Sequence, residues 1–340
     1  MNKKKQEKKL FFSRTFDFLD HYLPEQAMKS SNTIETYRDA LTVFRRYITD
    51  ILHLSLRSFC FVDCTHDLLL EYLAFLNKKG NAPTTCNNRL AAIRAYLWYA
   101  SDGDISLQSV ALTASHVPFL KVPKLTREII REEDMAALLS APQNTKTGKR
   151  DQMILILLYD SAIRVSELIS LDVRSVNLHA AIPYIRIYGK GDRERIVALT
   201  DATADHLKSY MKIYHSENLA DSPLIYTVIK GRKDRMSVGN VERIIKKYTE
   251  QIRPEHPTLP KSCYPHMVRR TRATNLYQDG IELELISRIL GHSSTETTRI
   301  YATPSVEMMR KAMETGKLAT DETPQWPDDE AEMARLCGLR

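Results

Sequence analysis

Four short segments of the sequence concentrate side chains that can carry charge or move protons. In chain order they hold Arg164 between two apolar stretches, Lys190 between two glycines, His266 with Arg269 in P-H-M-V-R-R-T, and Tyr301 at the end of L-G-H-S-S-T-E-T-T-R-I-Y. His266 and Arg269 stand three residues apart at the expected start of a helix, so they share one helical face.

Each segment taken alone also has an ordinary structural explanation. An arginine among apolar helices is commonly paired with a carboxylate, here Glu167 or Asp160. A lysine in a glycine turn is typical of a hairpin tip, and His292 after Gly291 is compatible with a helix cap. Tyr301 is one of 16 tyrosines, most of which must lie in the core or on the surface. The four segments therefore indicate a function only when they are considered together.

The first third of the chain, which must help position these groups, has the apolar periodicity of helices. One predicted helix begins after Ser31–Thr33, a second covers His66–Lys79, and a third starts after Pro83–Thr85 and runs to Tyr99. Two prolines and two lysines then follow within residues 117–124, and proline favours extended chain. We therefore expect a linker over 118–126.

Beyond the linker the pattern is mixed. Apolar helices are predicted over Arg150–Tyr159 and Val165–Ile169, and alternating stretches flank the Gly189–Asp192 turn, which predicts a β-hairpin. Leu224–Tyr226 is expected to add a third short strand. Helices are then predicted over Ser237–Ile252, Met267–Gln278, Glu282–Leu290 and Val306–Thr315.

Basic charge is spread over both parts. The 340 residues include 49 Lys and Arg against 42 Asp and Glu, a formal net charge of +7. Residues 1–125 hold 17 basic and 12 acidic side chains, residues 126–306 hold 27 and 22, and residues 307–340 hold 5 and 8. Two basic parts and an acidic tail suit a protein that grips a polyanion, although many other enzymes share this balance.

Several function classes lack their sequence signatures. The chain has no H-E-x-x-H, no P-loop and no G-x-G-x-x-G, and its five cysteines form no C-x-x-C pair. No apolar run approaches the roughly 18 residues that a membrane span needs, and the basic N-terminus lacks the apolar core of a signal peptide. We expect a two-domain cytoplasmic protein without membrane, metal or cofactor.

Taken in order, the four segments resemble the tyrosine recombinase, or phage integrase, family. The motifs are R-V-S-E-L from Arg164, G-K-G-D-R-E-R from Gly189, H-M-V-R-R-T from His266, and L-G-H-S-S-T-E-T-T-R-I-Y ending at Tyr301. The last is the most specific, since it fixes a histidine and a tyrosine nine residues apart. The resemblance runs from about Thr33 to Tyr301.

The resemblance implies a mainly α fold with a small antiparallel β-sheet. An N-terminal helical core-binding domain of SAM-like fold precedes a mixed α+β catalytic domain. The implied boundaries are a basic tail over 1–12, the core-binding domain over 13–117, the linker over 118–126, the catalytic domain over 127–306 and a C-terminal helix and tail over 307–340. That tail either contacts a neighbouring protomer or packs within its own chain.

The resemblance also implies a reaction that needs neither a metal nor a cofactor. A tyrosine, here Tyr301, attacks a DNA phosphodiester, becomes joined to the 3′ phosphate and frees a 5′ hydroxyl. A 5′ hydroxyl of another strand then reverses the step, and exchange passes through a Holliday junction. Arg164 and Arg269 are expected to grip the non-bridging oxygens. Glu167 is expected to support the site by holding a basic residue.

Proton transfer is assigned by the same resemblance. His266 is the expected general base, His292 the hydrogen-bonding partner of the phosphate, and Lys190 the general acid for the leaving 5′ oxygen. Arg270 departs from the pattern, since many members carry histidine there.

The expected partner is double-stranded DNA with paired recombination sites, bound by a homotetramer, or with a related recombinase, in the synaptic complex. Predicted DNA contacts are Arg89 and Arg94 on a helix, and Lys121 and Lys124 in the linker. The leading function is a site-specific recombinase of integrase or transposase type. The alternatives are a chromosome-dimer or plasmid resolvase of the same family, a type IB topoisomerase-like enzyme and a non-cleaving DNA-binding protein.

Overall fold

The structure is a computed structural model. It describes residues 10–123, 128–188, 194–217, 219–292, 294–302, 304, 306–315 and 329–338. The described chain is mainly helical with two small antiparallel sheets, which confirms the expected fold class. It divides into two compact units, Met1–Thr126 and Arg127–Arg340. No helix within these ranges has the length and apolar character to cross a membrane.

Helices of the first unit enclose an aromatic core. Their bounds are a π-helical α1 (Asp17–Gln26), α2 (Ser31–Arg46) with a π-helical extension Tyr47–Ile51, α3 (His66–Lys78), α4 (Pro83–Asp102) and α5 (Gln108–Ser115). Ser30 and Thr65 cap α2 and α3 through their hydroxyls, and Pro83 occupies the first turn of α4. The sequence did not predict α1, which carries Pro24 inside it. Fully buried rings fill the centre: Phe11, Phe18, Phe44, Tyr72 and Tyr96.

Helices make up most of the second unit as well. Their bounds are α6 (Glu132–Ser140), α7 (Lys146–Asp160), α8 (Val165–Ser170), α9 (Asp201–Tyr214), α10 (Val238–Ile252), α11 (Pro265–Gln278), α12 (Leu283–Leu290), α13 (Glu296–Arg299), α14 (Val306–Thr315) and α15 (Glu330–Leu336). Residues 153–158 of α7 are all buried in the main core cluster, so this helix forms the centre of the unit.

The first sheet contains strands β1 (Val176–Asn177), β2 (Tyr184–Tyr188) and β3 (Glu194–Ala198) in that order, with Ile187 opposite Arg195. The strand predicted over Leu224–Tyr226 starts too early, because Leu224 is fully buried and donates its N–H to the Leu171 carbonyl, 2.8 Å away. The strand begins only at Tyr226. There β4 (Tyr226–Ile229) pairs with β5 (Arg232–Arg235) in a separate hairpin.

Two sharp reversals at helix ends lead into the site. After α7 the buried Ala162 adopts φ +49°, and Arg164 follows as the N-cap residue of α8. After α12 Gly291 adopts φ +62°, the left-handed conformation that glycine reaches without a Cβ clash, and His292 follows it. The chain thus carries an arginine and a histidine on short turns between packed helices.

Candidate active site

Glu167 is the carboxylate at the centre of the site. It lies in the first turn of α8 and accepts hydrogen bonds from the backbone N–H of Arg164 at 2.7 Å and from Arg164 Nη1 at 2.8 Å. Arg195 of β3 donates to both carboxylate oxygens, at 2.9 and 2.8 Å. Arg269 Nη1 lies 3.9 Å from the same carboxylate. One buried acid is therefore shared by three arginines.

The charge of Glu167 is fixed by these neighbours. Its side chain is buried, and burial acts to raise the pKa, but hydrogen bonds from Arg195 and Arg164 outweigh that effect and lower the pKa to about 2. Glu167 is consequently an ionised hydrogen-bond acceptor at neutral pH, which suits it to hold guanidinium groups rather than to transfer protons.

Arg269 is almost completely buried, with 1% of its surface exposed. Nη1 donates to the Ala162 carbonyl and Nη2 to the Leu290 carbonyl, both at 2.6 Å. Burial, together with the positive charge of Arg164, lowers the Arg269 pKa to about 10, which still leaves it protonated at neutral pH. Its Nε has no hydrogen-bond partner within the described ranges.

His292 lies between Arg269 and Thr298. Its Nε2 is 3.2 Å from Arg269 Nη2, and its Nδ1 is 2.8 Å from Thr298 Oγ1. Because a guanidinium can only donate, Nε2 is the acceptor, and the hydrogen bonds assign the ring proton to Nδ1. Burial lowers the His292 pKa to about 4, with further lowering by Arg269 and Arg164, so the imidazole is neutral at pH 7.

The Tyr301 ring stacks on the imidazole ring of His292. The two ring centroids are 6.0 Å apart and the planes are inclined by 27°. The tyrosine is 2% exposed and belongs to a small apolar cluster with Ala162, Ala273, Ile286 and Leu290. The predicted nucleophile is thus a buried phenol beside the arginine cluster.

The other two predicted catalytic residues, His266 and Lys190, are not part of this buried cluster as the structure describes it. His266 is an exposed residue in the first turn of α11, and its charge adds to the lowering of the His292 pKa. Lys190 lies outside the described residues, as does Lys124. The structure therefore brings together Arg164, Glu167, Arg269, His292 and Tyr301, with His266 at the rim. No group of three or more His, Cys, Asp or Glu side chains in the described chain is arranged to hold a metal ion.

The residues predicted to contact DNA have different surroundings. Arg94 donates through Nε to the Ala114 carbonyl at 2.9 Å and through Nη2 to the Val117 carbonyl, and its guanidinium covers the Phe119 ring at 4.5 Å. These contacts make Arg94 a brace within the first unit, and its predicted contact with phosphate stays a prediction. Arg89 is half-buried and donates to Asn81 Oδ1, whereas Lys121 is exposed.

Two residues of the site were missed by sequence reasoning. Arg195 was included only as the last residue of the G-K-G-D-R-E-R motif and was given no role, although it stands on the same face of β3 as the buried Val197. A charged residue on the inward face of a strand needs a partner. The alternation of side chains along β3 could therefore have indicated that Arg195 pairs with an acid inside the unit. Thr298 had no comparable signal, because its contact with His292 depends on the fold of the turn between them. Arg270, which departs from the family pattern, is buried and donates to the Glu128 carbonyl.

Comparison with known proteins agrees with this geometry. The model of the phage integrase family matches residues 128–308, and the model of the phage integrase N-terminal SAM-like domain matches residues 17–102. Tyrosine recombinase XerA of Thermococcus kodakarensis is 32% identical over 249 residues, which are 73% of this chain and 81% of the relative. Tyrosine recombinase XerD of Staphylococcus epidermidis is 29% identical over 288 residues, 83% and 91% of the two chains.

Two solved structures share the fold. XerH recombinase bound to palindromic difH substrate, in a post-cleavage complex, has a TM-score of 0.63 at 22% identity, over 83% of this chain and 79% of that one. The Tn1549 transposon integrase in complex with transposon right end DNA has a TM-score of 0.66 at 18% identity, over 90% and 98%.

A SAM-like helical unit and a catalytic unit with an arginine cluster beside a buried tyrosine define an enzyme class that cleaves and rejoins DNA. The chain belongs to the phage integrase family, the tyrosine recombinases. The family resemblance drawn from the four motifs is therefore confirmed.

Proposed function

We propose that Tyr301 is the nucleophile of this recombinase and becomes joined to the 3′ phosphate of the cleaved strand. The observation that carries the proposal is the contact between Tyr301 and His292, whose ring also reaches Arg269. A phenol, an imidazole and a guanidinium in one cluster supply an attacking oxygen and groups that bind its target.

Arg164 and Arg269 are the proposed ligands of the scissile phosphate. The pentacoordinate transition state carries more negative charge on its non-bridging oxygens than the diester does, so fixed guanidinium groups stabilise it more than the ground state. The Arg164 side chain is 41% exposed, and among the described residues its Nη2 has only a long 3.4 Å bond, to the Gly291 carbonyl. The Nη2 end of this guanidinium is thus available to an incoming phosphate, while Nη1 stays bonded to Glu167.

Proton transfer is proposed to involve His266 as general base and Lys190 as general acid, the latter by its match to the family motif alone. His292 is proposed to hydrogen-bond the phosphate. Since its Nε2 accepts from Arg269 in the free protein, donation to phosphate requires either a proton on Nε2 or a turn of the ring.

The proposed substrate is double-stranded DNA with paired recombination sites, exchanged through a Holliday junction by a homotetramer. The exposed apolar side chains of α14 support contact between protomers, since Val306 and Met313 are 79% and 78% exposed. In the alternative assembly, a related recombinase replaces some of the identical copies. The reaction takes place where the DNA lies, which for a bacterial or archaeal cell is the cytoplasm.

The proposed role is integration or transposition, as suggested by the similarity in fold to the Tn1549 transposon integrase. The second candidate is resolution of chromosome or plasmid dimers, which is favoured by the XerA and XerD names of the relatives. Both roles use the same chemistry, so sequencing the DNA sites that the protein selects from a genomic library separates them.

The nucleophile assignment is tested with a nicked suicide duplex built on a selected site. The wild-type protein should form an adduct that survives SDS, and Tyr301→Phe should form none while keeping its fold and DNA affinity. Tyr277→Phe is the matched control, since Tyr277 packs against the same apolar cluster. An adduct that persists in Tyr301→Phe removes Tyr301 as the nucleophile.

A further inference from the structure

Arg195 is the last residue of the G-K-G-D-R-E-R motif, but the proposed reaction gives it no role. It makes two nearly parallel hydrogen bonds to Glu167, at 2.9 and 2.8 Å, which is the bidentate geometry that arginine forms best with a carboxylate. Its Nε donates to the Ile289 carbonyl at 3.3 Å. The side chain is 14% exposed, so most of it is shielded from solvent.

The position of Arg195 is also fixed by packing. A Cβ built on Gly291 would lie 2.8 Å from Cζ, Nε and Nη1 of Arg195, so the guanidinium rests directly on the glycine. Gly291 is the residue before His292, and its carbonyl accepts from Arg164 Nη2. Arg195 therefore touches the acid that holds Arg164 and the turn that carries His292.

The charges of the cluster indicate what Arg195 contributes. Arg164, Arg195 and Arg269 carry three positive charges around the single negative charge of Glu167, which leaves a net charge of +2 on these four side chains. If Arg195 were neutral, the net charge would fall to +1 and Glu167 Oε2 would lose its guanidinium donor. Of the two remaining arginines, Arg164 is already hydrogen-bonded to Oε1 and has the more exposed side chain, whereas Arg269 Nη1 lies 3.9 Å from Oε2 and donates to the Ala162 carbonyl.

We propose that Arg195 is a positioning residue that occupies the Glu167 carboxylate, so that Arg164 keeps a single side-chain bond to Glu167 through Nη1 and its Nη2 stays available to the phosphate. The proposal rests on the proposed function, in which Arg164 binds that phosphate. Arg195 itself does not touch the substrate. Its removal lets Glu167 draw Arg164 into a closed bidentate pair and withdraws one of the two positive charges that the transition state needs.

The test measures single-turnover cleavage of the suicide duplex at saturating DNA. Arg195→Met, which keeps the apolar stem, should slow cleavage by roughly 10- to 100-fold, the usual cost of losing such a supporting contact, with DNA affinity changed by less than about threefold. Arg186→Met is the matched control. Arg186 lies on the neighbouring strand β2 in an exposed ion pair with Glu194, and its loss should leave the cleavage rate unchanged.

A charge-restoring variant separates positioning from a merely structural role. The double variant Glu167→Gln with Arg195→Met returns the cluster to a net charge of +2 and removes the competitor for Arg164, so it should cleave at least about fivefold faster than Arg195→Met. A duplex with a methylphosphonate at the cleavage site provides a second readout. This linkage is uncharged, so the difference in cleavage rate between the wild-type protein and Arg195→Met should be smaller on this duplex than on the ordinary one.

Arg195→Lys covers the case in which Arg195→Met does not fold. Lysine keeps the charge but cannot bond both oxygens of Glu167 at once, so a folded protein with slowed cleavage is expected. Wild-type cleavage rates in Arg195→Met or Arg195→Lys would overturn the proposal. So would a double variant no faster than the single one, or an undiminished defect on methylphosphonate. Failure of the wild-type protein to form any adduct would instead overturn the proposed function.

Discussion

The imidazole of His292 stacks on the phenol of Tyr301, with ring centroids 6.0 Å apart. Thr298 connects the two residues a second way, because its hydroxyl meets His292 Nδ1 while its carbonyl accepts the Tyr301 backbone N–H at 2.9 Å. The ring and the nucleophile therefore share one fully buried residue as their support. Any change in Thr298 should reach both.

The first prediction concerns this hydroxyl. Thr298→Val keeps the shape but leaves the Nδ1–H of the half-buried His292 without this acceptor, and we expect cleavage to slow by roughly 10- to 100-fold. Thr298→Ser should restore most of the rate. Thr297→Val is the control, since Thr297 is the exposed neighbour. Single-turnover kinetics measure the effect, and equal rates for the two valine variants would exclude this support.

The second prediction concerns the glycine that Arg195 covers. Gly291→Ala places a Cβ against the guanidinium and imposes φ +62° on alanine, so we expect a loss of stability of about 1–2 kcal/mol together with slower cleavage. Gly280→Ala is the matched control, because Gly280 has φ +85° with open space around its Cβ position. It should lose a similar amount of stability in urea unfolding and keep its cleavage rate.

The third prediction concerns stability in acid. The pKa of Glu167 falls from 4.5 in the unfolded chain to about 2 in the fold, so its stabilising contribution is complete above pH 4.5 and is lost as the pH falls toward 2. The size of that contribution is about 3 kcal/mol. Urea unfolding between pH 7 and pH 2 measures it, and Glu167→Gln should flatten the curve below pH 4.5.

His292 makes the stability of the fold depend on pH over a second, higher pH range. Its pKa is 6.5 when unfolded and about 4 in the fold, so the unfolded chain binds the proton first and stability declines as the pH falls from 6.5 toward 4. His292→Gln should remove this decline. A stability curve unchanged by that substitution would contradict the neutral state of the half-buried imidazole.

The fourth prediction separates structural from DNA-binding cations in the first unit. Arg94→Met should lower the thermal stability, since it removes donors from the Ala114 and Val117 carbonyls, and should leave the salt dependence of DNA binding unchanged. Lys121→Met should do the reverse and reduce the slope of log affinity against log salt by about 1. A reduced slope of log affinity against log salt for Arg94→Met would show that Arg94 also contacts DNA.

The sequence predicted helix positions well where apolar spacing and caps agreed, as for α3, which ends one residue from the predicted His66–Lys79. It failed for α1, whose π-helical turns do not follow the usual period, and for Leu224, whose apolar run enters the core before the strand begins. Family motifs placed Arg164, Arg269 and Tyr301 in one site. Helix periodicity gave no partner for Arg94, because its acceptors are carbonyls 20 and 23 residues away.

The two carbonyl contacts of Arg269 have a consequence for how such proteins lose activity over time. The guanidinium fastens the turn after α7 to the end of α12 from inside the core, so a change there unfolds the unit as well as disabling it. Loss of the Tyr301 hydroxyl removes chemistry alone. A lineage that abandons DNA cleavage but still needs the fold should therefore shed its tyrosine early and keep this arginine long after the reaction has gone.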